Sequence, residues 1–88
     1  MKEIRRRFVL KNDDAEKCAR LMDLIHNELV GNEDYINNRI ILNDSKTRQD
    51  GSVNEIHVYH DFELKSMQDR MLQIAVSKAI IKSRRMED

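Results

Sequence analysis

The chain of 88 residues has no proline, no tryptophan, two glycines and a single cysteine. Each shortage excludes something. Without proline, nothing forces a helix to kink or a strand to leave its sheet. With only Gly31 and Gly51, a glycine-rich phosphate cradle is ruled out, because such loops need several residues that let backbone N–H groups close on an anion. The lone thiol, Cys18, makes neither an internal disulfide nor a cysteine-based zinc site. A reducing interior is the natural compartment for it, so a cytoplasmic protein is expected. No segment approaches the ~18 consecutive apolar residues of a membrane span, and no membrane partner is expected. The opening MKEIRRRFVL has basic residues but no apolar stretch of signal-peptide length.

Acids and bases balance at 16 each, giving a net charge of zero. Nucleic-acid-binding domains are usually plainly basic, so zero charge argues against a bulk binder. The charge is unevenly placed, however: residues 1–11 sum to +4 and residues 12–34 to −5. A local patch is therefore compatible with the composition. Charged residues make up 36% of the chain, yet the apolar ones recur periodically, which excludes disorder. Residues 1–88 form one domain, small enough that oligomerisation would add useful burial.

Residues 4–10 alternate as a strand: Ile4, Phe8 and Leu10 share one parity, and Arg5, Arg7 and Val9 the other. Arg6 sits with the apolar set, which suits a sheet margin where a long side chain can snorkel. Residues 12–31 predict a helix. Asp13 and Glu16 have capping-box spacing, Ala15, Cys18, Met22, Ile25 and Leu29 form one face, and Gly31 is the expected stop. A second strand is expected over 35–43, with Ile36, Ile40 and Leu42 on one side and Tyr35, Arg39 and Ile41 on the other. A polar loop with an Asp-Gly pair follows, and then a third strand, NEIHVYH. Residues 61–85 predict a long second helix, with Asp61 as its N-cap.

The order β-α-β-β-α predicts an α+β fold: a small two-layer sandwich with two helices on one face of a half-ferredoxin-like three-stranded sheet. The third strand is expected between the other two, with sequence order as the alternative.

His57, Tyr59, His60 and Asp61 lie close together in sequence. Strand alternation puts His57 and Tyr59 on one face and His60 on the other, so the histidines are not expected to share a metal or act as a pair. No metal site, cofactor or catalytic residue is predicted. Cys18, inside a helix stripe, is expected to be a buried core thiol.

With both helices on one side, the other sheet face carries Arg5, Arg7, Arg39, Ile41, His57 and Tyr59, the expected partner-binding surface. Arginine and tyrosine are frequent at interface hot spots. The second helix is apolar nearly all round between residues 71 and 81. If Met71, Ile74 and Ala75 face the sheet, Leu72, Val76, Ala79 and Ile80 remain for a second copy, which predicts a homodimer, with pairing along the first-strand edge as the alternative route. The leading expectation is a non-enzymatic interaction module binding a protein partner, a regulator or inhibitor of the kind common in bacteria, phages and mobile elements. The alternatives are a nucleic-acid-binding regulator using the open sheet face, and a small hydrolase or nuclease using His57, His60 or Asp61.

Overall fold

The computed structural model describes residues 6–46 and 54–87. In chain order they form β1 (Arg6–Asn12), α1 (Ala15–Leu29), α2 (Glu33–Ile36), β2 (Ile40–Lys46), β3 (Asn54–His60) and α3 (Met67–Glu87). The sheet is antiparallel with order β1-β3-β2, so the third strand is central as expected. The register sets Phe8 and Leu42 against Val58, and Leu10 against Ile56. This parity faces the helices. Ile56 and Val58 are fully buried and join Ile40, Cys18, Ile25 and Leu29 in one core. Each such aliphatic side chain contributes roughly 1.5–3 kcal/mol by leaving water.

Local polar chemistry shifts several boundaries from the expected ones. Asn12 Oδ1 accepts from the N–H of Asp14 at 2.8 Å, and Asp14, not Asp13, caps α1 by accepting from Glu16 N and Lys17 N. Residues 35 and 36 are not strand. Asn32 Oδ1 accepts from Asp34 N and Tyr35 N, which nucleates the short α2, and Ile36 points to solvent. The chain then turns through Asn38 at φ 63, a conformation that asparagine tolerates well. Asp61 caps nothing. The long helix starts six residues later, where Ser66 Oγ accepts from Asp69 N at 3.2 Å and Asp69 Oδ2 accepts from Lys65 N at 3.0 Å. This reciprocal arrangement closely resembles a capping box.

The expected facing of α3 is reversed except at Ala75, which is buried as expected. Leu72, Val76 and Ala79 are buried and Ile80 packs beside them, whereas Met71 and Ile74 are more than half exposed. The cause lies in what α3 packs against. α1 touches all three strands, but α3 packs chiefly against α1. Ala75 and Ala79 are small enough to let two helices approach closely, so the stripe containing them turns inward. Leu72, Val76, Ala79 and Ile80 are thus occupied within the chain's own core and are not left over for a second copy. Among the described residues no helix is long and apolar enough to cross a membrane.

Candidate functional site

The other parity of the sheet forms a grid that none of the described helices covers. Arg7 lies opposite Tyr59, which lies opposite Ile41; Val9 lies opposite His57, which lies opposite Asn43; Lys11 lies opposite Glu55. Val9, Ile41 and Tyr59 take no part in the core cluster. Arg7, Lys11 and Asn43 are exposed, while Val9, Ile41, His57 and Tyr59 are half-buried.

Four polar side chains run along this face as a connected line. His57 Nε2 lies 2.8 Å from Glu55 Oε1, and His57 Nδ1 lies 3.2 Å from the Tyr59 hydroxyl. A carboxylate only accepts, so Nε2 carries the proton; in the neutral ring Nδ1 then accepts from the Tyr59 O–H. Lys11 Nζ completes the line at 3.6 Å from Glu55 Oε2. Glu55 itself is buried, 5% exposed. The hydrogen bond from His57, with help from the Lys11 charge, holds its carboxyl below the usual range against an opposing desolvation effect. Both imidazole nitrogens of His57 are engaged within the face, an arrangement suited to fixing the surface in shape.

Of the residues expected here, Arg7, Ile41, His57 and Tyr59 are brought together; Arg5 lies outside the described residues. Arg39 does not belong to the face. It precedes β2, pairs with Asp61 at 3.0 Å and Asp34 at 3.3 Å, and lies 5.1 Å over the Phe62 ring. It clamps the turn after α2 to the segment after β3. Lys11 and Glu55 belong to the face but were not anticipated. Their signal was present, since Glu55 shares the strand parity of His57 and Tyr59.

His60 is on the covered side, 4% exposed. It stacks on Phe62 at 5.4 Å, sits 6.2 Å from Phe8, and accepts from Phe62 N through Nδ1. Burial pushes its pKa down, with Asp69 and Asp61 opposing and Arg6 assisting. His57 and His60 are therefore separated by the sheet, and Asp61 is tied to Arg39, so the three side chains are not brought to one point. A groove of about 690 Å³ opens beside His60, between β1 and α3. Several of its polar groups serve the fold: Arg6 donates to the Phe62 carbonyl, and Asp69 accepts from Lys65 N and Gln73 Nε2, while Arg7 lies at its margin. Burial and the nearby Asp44 carboxylate raise the pKa of the Cys18 thiol, which disfavours the nucleophilic thiolate. The open sheet face thus stands out by geometry alone, because no family model, curated protein or solved structure matches this chain.

Proposed function

We propose that this protein is a small non-enzymatic interaction module, working in a reducing cytoplasmic setting, that regulates or inhibits a partner protein docking on its open sheet face. The observation supporting this reading is the grid itself: exposed Arg7 beside Tyr59 and Ile41, with Val9 and His57 in the next row and no described helix above. Among the described residues Arg7 has no ion-pair partner, whereas Lys11 already has Glu55. The complementary surface would bring one carboxylate to Arg7 and apolar groups to Ile41 and Val9. The Tyr59–His57–Glu55 line orders the face before binding, which lowers the entropy lost on association. Stacking of single-stranded nucleic acid is the weaker reading, since the face offers one phenol ring whose hydroxyl is already engaged.

The test compares wild type with an Arg7→Glu, Tyr59→Ala variant in affinity capture from the source cells, with and without nuclease. The expected result is a protein captured by wild type, lost by the variant and retained after nuclease treatment. Capture unchanged by the double substitution would remove the face from consideration. Capture lost on nuclease treatment, with steep salt dependence for a poly(U) probe, would move the reading to nucleic acid.

A further inference from the structure

A second apolar stripe runs along α3 on the side turned away from the core. Met67, Met71, Ile74 and Ile81 are 69%, 53%, 55% and 48% exposed. With Lys78 between the last two, their spacing alternates four and three residues, the repeat of a coiled-coil seam. The surface is hollowed along this seam by a depression of about 440 Å³, bounded by Ile74, Ser77, Lys78 and Ile81 with Arg70 and Gln73 at its rim. The first four occupy positions i, i+3, i+4 and i+7, the set that forms the hole for one side chain of a facing helix. Ser77 is small, which keeps the hole open.

The charge around this seam has one sign. Between Met67 and Met86 the helix carries Arg70, Lys78, Lys82, Arg84 and Arg85, and its only acid, Asp69, is buried. Lys82 is paired with Glu28 of α1. Arg70 and Arg84 therefore border the seam on its open side, and Lys78 and Arg85 lie within it.

We infer that this stripe docks one amphipathic helix of another protein, with apolar residues at heptad spacing and carboxylates on its flanks. Charge complementarity selects that occupant. Parallel pairing of two copies would set Lys78 against Lys78 and Arg85 against Arg85, and antiparallel pairing would lay Arg70 beside the partner copy's basic stretch. Like charges so placed oppose association. A bilayer would accept a basic amphipathic helix, but a depression running along a heptad-spaced seam suits a facing helix better. The groove between β1 and α3 joins Arg7 to Gln73 and Ser77 at the margin of the stripe, but the inference rests on the seam residues of α3 and not on the function proposed for the sheet face.

The probe is a fluorescein-labelled three-heptad peptide with leucine at the seam and glutamate on both flanks. A companion peptide carries lysine on the flanks. Fluorescence anisotropy should show binding of the glutamate peptide, weakening with salt, and none of the lysine peptide. Arg70→Glu with Arg84→Glu should weaken glutamate-peptide binding by more than about tenfold and favour the lysine peptide. Ile74→Glu should abolish binding at unchanged melting temperature; if it lowers that temperature, Met71→Gln serves in its place. No binding of the glutamate peptide, equal binding of both peptides, or indifference to charge reversal would overturn the inference. So would a wild-type dimer in light scattering that Ile74→Glu splits, or tighter binding to phosphatidylglycerol vesicles than to the peptide.

Discussion

His57 and His60 share a strand and almost nothing else. His60 looks into the core, stacked on Phe62, with burial lowering its pKa. His57 looks outward and is wired to Glu55 and Tyr59. The difference shows that on a one-sided sheet the face a residue occupies decides its role, while closeness in sequence decides little. The covered face holds the apolar core, and the open face holds the polar line through Glu55, His57 and Tyr59.

The largest test of that division is a matched pair of truncations. Ile56→Ala on the covered face should cost about 2–5 kcal/mol in denaturant unfolding, whereas Ile41→Ala on the open face should cost less than about 1 kcal/mol. Equal losses would mean that the open face is packed in solution and is not a docking surface.

A second test uses acid. The folded-state pKa of His60 is below its ordinary 6.5. The unfolded chain then binds the proton first, so stability is complete above 6.5 and falls as pH drops below it. His60→Phe should flatten the fall in melting temperature between neutrality and mild acid, and His57→Gln should leave that fall in place. The reverse outcome would exchange the roles of the two faces.

Further into acid the carboxylates respond. Glu55 is held below its ordinary 4.5, chiefly by His57, and Asp69 below 3.8, chiefly by Lys65 N–H. Each stabilises the fold above its ordinary value, and the contribution is lost as pH falls through the lowered one. Glu55→Gln should shallow the acid limb of the melting curve, leaving the part due to Asp69. The smallest effect belongs to the surface: Arg7→Ala should move stability by no more than about 0.5 kcal/mol, although the same residue is central to the proposed docking.

Much of this contrast was legible in the residues. Period-two alternation separates Ile56, Val58 and His60 from His57 and Tyr59 without reference to any other part of the chain, and the strand order followed from the pattern of elements. What failed depended on competition or distance. Asp61 is a good cap residue, but Ser66 with Asp69 is a better start, and the Ser-x-x-Asp spacing was there to be read. Tyr35 and Ile36 fit a strand parity that Asn32 overrides by nucleating a helical turn. The pairing of Arg39 with Asp61 was beyond reach, since the two lie 22 residues apart. The facing of α3 was ambiguous because apolar residues nearly encircle it; only packing against α1, through Ala75 and Ala79, chooses between the two stripes.

The strand order also carries a kinetic consequence. β2 and β3 are consecutive, so Lys46 meets Asn54 across a short loop, whereas β1 must return from the far end of the chain to set Arg6 beside His60. Loop closure makes the first pairing entropically cheaper than the second. The β2–β3 hairpin should therefore form early and β1 should dock late, leaving an edge strand that opens before the rest. In hydrogen exchange the amides of Phe8 and Leu10 should lose protection ahead of those of Ile56 and Val58. Since Arg7 and Val9 ride on that strand, their margin of the open face would be the last part of that face to assemble and the first to come apart.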